Sequence, residues 1–467
     1  MIFSSLTFIF RFLPIFLILY YVVPHKYKNS ILFFGSLCFY AYGGPQYLLL
    51  ILFSLLVNYI VAILMNRSEN YSKQKKLWLV MGLVYNFGVL FFFKYIDFMI
   101  HNVNFLIGRL HVDQTIPSLE LALPLGISFY TFQIVSYLID VYKGEIRAEK
   151  SVYHLGMYLC MFPQLISGPI VKYADISAQL SERKFTVQNV ERGLKLFTIG
   201  LAFKVLIADR IGILWNDIQT IGFESISTPL AWLGAIGYSL QLYFDFYGYS
   251  LMAVGVGRML GFILPDNFDH PYIARSVSEF WRRWHITLGK WFKNYVYIPL
   301  GGNRRGSRKL IFNLFIVWML TGLWHGASWN FILWGISLFV LICFEKLLFH
   351  KFLQKHTILS RIYLLTVMPL TWMVFAIRDL SELKIYFGRI FALIPGICVN
   401  SYDFIKYLSI YKWLFIAGIF FCTPFAWNWF VRHEKSIVCT IILLMVFWYC
   451  IYQLSNGLNN PFLYFKF

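Results

Sequence analysis

Two histidines stand in similar surroundings. His285 lies within EFWRRWHITLGKWFKNYVYIPLG (279–301) and His325 within VWMLTGLWHGASWN (317–330). Each directly follows a tryptophan, Trp284 or Trp324. From Leu310 to Phe344 there is no Lys, Arg, Asp or Glu, so His325 is the only ionisable side chain of that run apart from Cys343. Imidazole has an ordinary pKa near 6.5, and burial beside aromatic rings lowers it, favouring the neutral, proton-accepting form. A neutral imidazole shielded from bulk water is what a general base acting on a hydroxyl requires. Each histidine alone also has a structural reading, as a satisfied buried or interfacial group. The pair carries the catalytic reading, which requires the two rings to line one cavity within about 15 Å, the reach of a short water relay.

Other chemistries fit less well. Two His without a third ligand at suitable spacing make a poor zinc site, so no metal is expected. Neither a G-x-S-x-G nor a GxxxxGK[ST] motif is present. The seven cysteines are scattered through apolar segments without a CxxC pair, as small packing residues are.

The elements that position these residues follow from composition. The 467 residues are 59% hydrophobic, 20% aromatic and 13% charged, against about a quarter charged in a soluble domain. The sequence predicts an all-α polytopic membrane protein and a single integral domain, 1–467, with no linker, repeat or detachable soluble part. Apolar segments at 6–23, 30–43, 46–65, 77–93, 121–142, 152–171, 194–214, 229–262, 310–344, 361–377, 411–430 and 437–454 give about 11–13 transmembrane or re-entrant helices. The first reads as a retained span rather than a cleaved signal. As one helix, 310–344 would run roughly 52 Å against a core of about 30 Å, so two elements broken near Gly326–Asn330 are expected. His325 then sits roughly 24 Å along the first, counted from Lys309. At 100° per residue, 279–299 gathers aromatics on one face and Arg282, Arg283, Lys290 and Lys293 on the other. That pattern predicts an amphipathic helix at the membrane interface, with His285 at the edge of its aromatic arc.

The formal charge is +19. Cations cluster around 67–76, 183–195 and 304–309, which the positive-inside rule puts on the cytoplasmic face, against anionic membrane lipid. No basic tail or RNA-binding motif accompanies them, and nucleic acid is not an expected partner.

Several stretches in order carry a resemblance: PLGISFYTFQIVSYLIDVYKG (124–144), MFPQLISGPIVKY (161–173), YFDFYGYSLMAVGVGRMLGF (243–262), NFDHPY (267–272), EFWRRWHITLGKWFKNYVYIPLGGNRRG (279–306) and GLWHGASWNFILWG (322–335). Over about 124–335 the chain resembles the membrane-bound O-acyltransferases. The YIPLGGNRRG continuation is similar to the alginate and peptidoglycan O-acetyltransferase branch rather than the D-alanyl-transfer branch. The resemblance implies helices around a membrane-crossing channel that narrows at a reactive histidine, here His325 of GLWHG, with His285 of RRWHI as the second motif histidine. It implies acetyl-CoA as acyl donor, no permanently bound cofactor, and an extracytoplasmic SGNH-type acyltransferase as partner. It further implies a multi-pass place in the bacterial cell (inner) membrane and O-acetylation of an envelope polysaccharide. The reading from a different class is a transporter or flippase of an acylated or lipid-linked intermediate that makes no bond.

Within those motifs, Trp284, Trp324, Asp245, Gln133 and Gln164 are substrate or tunnel candidates. Asp245 has a structural alternative, a pair with Arg258, Arg282 or Arg283, and the two glutamines have one as hydrogen bonds between helices. Arg304, Arg305 and Arg308 are candidates for the donor's phosphates, their alternative being a topogenic loop. Gly301 and Gly302 are expected to form a turn.

Overall fold

The computed structural model describes residues 1–70, 72–111, 115–165, 168–304, 306–457 and 463. Among these the chain is helical, with no strand and one isolated β-bridge, Phe268 to Trp284. It divides into two compact units, Met1–Val190 with Val256–Pro265, and Glu191–Gly255 with Asp266–Phe467. Among the described residues six helices are long and apolar enough to cross a membrane: Pro45–Arg67, Lys73–Arg109, Trp329–Lys355, Thr357–Ala376, Asp403–Phe421 and Ile437–Ser455. A shorter apolar helix covers Phe8–Val22. The protein is an all-α, multi-pass membrane protein.

The first unit contains α1 (Leu13–Val22), α2 (His25–Gly43), α3 (Leu48–Arg67), α4 (Lys73–Arg109), α5 (Ile127–Lys143), α6 (Val152–Cys160) and α7 (Tyr173–Ser181). Polar side chains join its apolar spans. Asn58 of α3 and Asn86 of α4 exchange amide hydrogen bonds at 3.1 and 2.6 Å, and Ser54 lies 2.9 Å from the Tyr85 hydroxyl. Where lipid offers no competing partner, such bonds select the helix pairing. Ser72 caps α4 by accepting from the Lys75 amide. The helix then runs 37 residues, about 55 Å, well past the apolar 77–93 core, because no proline interrupts the more polar residues that follow.

The second unit contains α8 (Val187–Ala202) from Glu191 on, α9 (Asp209–Ile221), α10 (Thr228–Met259) as far as Gly255, α11 (Val277–Arg283), α12 (Ile286–Phe292), α13 (Gly306–His325), α14 (Trp329–Phe344), α15 (Thr357–Ala376), α16 (Leu380–Ile390), α17 (Asp403–Phe421), α18 (Pro424–His433) and α19 (Ile437–Ser455). A π-helical turn, Phe203–Ala208, joins α8 to α9. The expected break in 310–344 is present: α13 ends on His325 and α14 starts at Trp329. Gly322 and Gly335 let these two helices meet backbone to backbone. A β-carbon on Gly322 would strike the Phe331 carbonyl, and one on Gly335 the Trp318 carbonyl. Gly301 and Gly302 turn the chain into α13 with φ of 105° and 58°, values that favour glycine. The 411–430 segment is divided at Pro424, which opens α18.

One expectation is overturned. Residues 279–299 are not a continuous helix. Trp284 is extended, His285 is left-handed with φ 44°, and α11 and α12 lie on either side.

Candidate active site

The break at His285 has an anchor eighteen residues earlier in the chain. The Asn267 carbonyl accepts from the Ile286 amide at 3.0 Å, and the Asp269 amide donates to the Arg283 carbonyl at 2.9 Å. The Asn267 side-chain oxygen accepts from the Thr287 amide at 3.3 Å and the Thr287 hydroxyl at 2.9 Å, and lies 3.1 Å from His285 Nδ1. These bonds compensate the backbone for leaving the helical ladder. They also settle the imidazole's chemistry. A backbone N–H can only donate, so the Asn267 atom facing it is the oxygen, and the His285 nitrogen beside that oxygen is the protonated one. Nδ1 therefore carries the hydrogen and Nε2 is the proton-accepting nitrogen. His285 is 2% exposed, edge-on to Phe246 at 4.8 Å. Burial pushes its pKa down to about 3, so the ring is neutral.

The start of α11 is fixed with equal care. Ser276 accepts from the Glu279 amide, and Glu279 accepts from the Arg275 amide, each at 3.0 Å. The Glu345 carboxylate accepts from the Val277 and Ser278 amides and from the Ser278 hydroxyl. These satisfy donors that a helix start leaves open.

His325 closes α13 and is 6% exposed. Its ring is boxed by Trp324 and Trp334, each at 4.9 Å, and by Phe375 at 5.4 Å. Trp324 also contacts His285, at 5.9 Å. The two imidazole centres are therefore no farther apart than about 11 Å, the sum of their separations from Trp324, inside the distance a shared site requires. Behind them a tryptophan cluster ties four helices together: Trp281 meets Trp318 at 5.2 Å and Trp334 at 5.5 Å, and Trp284 meets Trp372 at 5.0 Å. Trp284, in this cluster, and Trp324, between the two histidines, are each 3% exposed.

The remaining candidates fall elsewhere. Asp245 is buried and paired, but not with the arginines expected. Lys204, in the π-turn before α9, contacts Asp245 at 2.7 Å and Asp209 at 2.5 Å. Lys204 is a cation in an otherwise apolar stretch with Asp209 five residues on, and that spacing was the signal for the cluster. Gln133 and Gln164 belong to the first unit and gather around Tyr158, whose hydroxyl donates to the Gln133 carbonyl while its own carbonyl accepts from the Gln164 amide. Arg304 and Arg308 are exposed, in the turn before α13 and in its first turn; Arg305 lies outside the described residues. Asn267, Trp334 and Phe375 are the site residues that motif reading missed. Asn267 was in view within NFDHPY, but nothing local to it indicates a partner at His285. Among the described residues no group of three or more His, Cys, Asp or Glu is placed to hold a metal.

A multi-pass helical protein with two imidazoles buried among aromatic rings has the attributes of an integral-membrane group-transfer enzyme. Residues 151–378 match the membrane-bound O-acyltransferase family model, a region that runs past the motifs to take in all of α15 and Phe375. The chain is 34% identical to the probable alginate O-acetylase AlgI of Pseudomonas putida over the full length of both. It is 40% identical to the protein of that name in Pseudomonas aeruginosa, over 72% of this chain and 64% of the relative. It is 35% identical to the peptidoglycan O-acetyltransferase of Helicobacter pylori, over 88% of this chain and 83% of the relative. The chain belongs to the membrane-bound O-acyltransferase family, and so to the O-acyltransferases.

Proposed function

We propose that this protein moves an acetyl group from a cytoplasmic thioester donor, acetyl-CoA, across the bacterial inner membrane for O-acetylation of an envelope polysaccharide. The observation that carries this reading is the His285–Trp324–His325 constellation, in a chain whose relatives bear the names alginate O-acetylase and peptidoglycan O-acetyltransferase. His325 acts as general base: it takes the proton from the acceptor hydroxyl as that oxygen attacks the thioester carbonyl. The tetrahedral intermediate then expels the thiolate, which recovers the proton, so ester and thiol form with no net proton change. His285, its Nδ1 held by Asn267, presents Nε2 to accept a hydrogen bond from a second O–H of the acceptor and so orients it, the reacting hydroxyl's one hydrogen going to His325. The exclusion of water by the surrounding rings strengthens the electrostatic interactions of the developing oxyanion. The acceptor is a hydroxyl of the polysaccharide or of an extracytoplasmic SGNH-type partner that completes the transfer.

The purified protein, given a radiolabelled acetyl thioester and a hydroxyl acceptor, is expected to form an ester. His325→Ala should lower that rate by about 10²–10⁴, the usual worth of a general base, at unchanged helicity and yield. Normal acetylation by the variant would sink the assignment. Translocation of an acylated intermediate that persists in the variant, without bond formation, would mark a transporter instead.

A further inference from the structure

A cavity of about 780 Å³ in the second unit is bordered by α11, the start of α13, the segment after α14 and the start of α15. Five permanent cations line it, Arg275, Arg282, Arg283, Lys346 and Arg361, against two carboxylates. Both carboxylates are already engaged. Glu279 binds the Arg283 guanidinium at 3.0 Å and the Arg275 amide, and Glu345 closes the start of α11. Arg283 is further held by Asp269 at 2.8 Å. Among the described residues no ion pair includes the side chains of Arg275, Arg282, Lys346 or Arg361. Five cations against two carboxylates leave a net positive charge around one concavity, which focuses a positive potential into it. Guanidinium groups, with their planar fork of donors, suit phosphate oxygens.

The cavity's place adds a length constraint. Leu310 lines it near the start of α13, and His325 ends that helix fifteen residues later, about 22 Å along the axis. Arg361 lies in the first turns of α15, and Phe375, against His325, is in its last. Helix α11 forms the dividing wall: Arg282 and Arg283 line the cavity, while Trp281 and Trp284 enter the aromatic cluster behind the histidines.

We propose that this cavity binds a phosphate-bearing group, as the anionic head of a soluble acyl donor or as the headgroup of an anionic lipid. Arg304 and Arg308 are not among its lining residues. On the acyl-transfer reading above, on which the donor form of this inference rests, a donor held here by its phosphates reaches His325 only through a flexible arm spanning the length of α13. A small acyl phosphate, whose phosphate adjoins the reacting carbonyl, does not meet that requirement.

The test uses the full chain in phosphatidylcholine nanodiscs at low salt, with inorganic pyrophosphate as the soluble probe and added phosphatidylglycerol as the lipid probe. Wild-type protein is expected to bind one of them saturably, read as a rise in unfolding temperature with concentration. Arg282→Gln/Lys346→Gln/Arg361→Gln should weaken that binding at least tenfold, while Lys406→Gln/Lys412→Gln, which removes exposed cations elsewhere, leaves it unchanged. Pyrophosphate binding identifies a soluble head, and phosphatidylglycerol binding a lipid one. The proposal is overturned if wild type binds neither, or if the triple variant, with wild-type helicity, binds as wild type does. His325→Ala separates the two readings. It should keep the binding while losing acyl transfer, and retention of transfer would break the catalytic reading without touching the phosphate site.

Discussion

The least conspicuous side chain at the site is a neutral amide. Asn267 holds both the backbone reversal at His285 and the tautomer of its ring. Asn267→Ala should therefore lower acyl transfer by roughly tenfold, a fraction of what a general base is worth. Asn267→Asp provides the sharper measurement. In wild type, burial holds His285 near pKa 3, so it should contribute no titration to kcat/KM between about pH 5 and 9. A carboxylate beside Nδ1 favours the imidazolium and raises that pKa, so the variant's profile should acquire a limb that falls as pH drops. Superimposable profiles would break the link between Asn267 and the ring. Folding has its own sign: a histidine whose folded pKa lies below its unfolded value near 6.5 stabilises the protein above that value. The contribution is lost as pH falls from about 6.5 toward the folded value.

At the scale of elements, the approach of α14 to α13 builds the aromatic box. Gly322 and His325 are three residues apart and share a helix face, so the close contact at Gly322 also presses Trp334 against the imidazole. Gly335→Leu should wedge the pair apart, costing about 1–3 kcal/mol as overpacking does, with a lower unfolding temperature and reduced transfer. Gly88→Leu, where an added side chain meets nothing within 4 Å, is the control, and equal losses in both would contradict the argument. The sequence revealed this element well, because thirty-five residues without a charge are too long for one crossing and the His-Gly-Ala-Ser stretch is where a break costs least. It did not reveal the neighbouring one. A helical wheel separates aromatics from cations in 279–299 whether or not the helix is broken, and the cause of the break lies back at Asn267. Asp245 has the same lesson: its burial was evident from apolar neighbours, but nearby arginines drew attention from Lys204, which folding brings alongside.

For the whole molecule, sidedness is the property that function depends on. The positive-inside rule puts the basic loop at 304–309, and with it the cationic cavity beside Leu310, on the cytoplasmic face, the face on which the proposed function needs its donor. A cysteine introduced at exposed Ser307, in a cysteine-depleted background, should resist an impermeant thiol reagent on intact cells and react once the membrane is opened. Ready labelling from outside would invert the orientation and with it the direction of acetyl movement. All-helical, multi-pass architecture and family were legible from composition and motifs. The division into two compact units was not, because contacts between distant segments leave no mark in local hydropathy.

The Lys204 cluster bears on how the protein is made. A solitary ammonium or carboxylate released into lipid is costly, and Asp245 is synthesised after both Lys204 and Asp209. The segment from Phe203 through α10 is thus least costly to release as a preassembled hairpin, the ammonium already shared by both carboxylates before lipid surrounds it. Loss of Lys204 would leave two buried carboxylates without their ammonium during biogenesis. The defect would register as protein held back or degraded by quality control, and an activity screen uncorrected for abundance would mistake an assembly residue for a catalytic one.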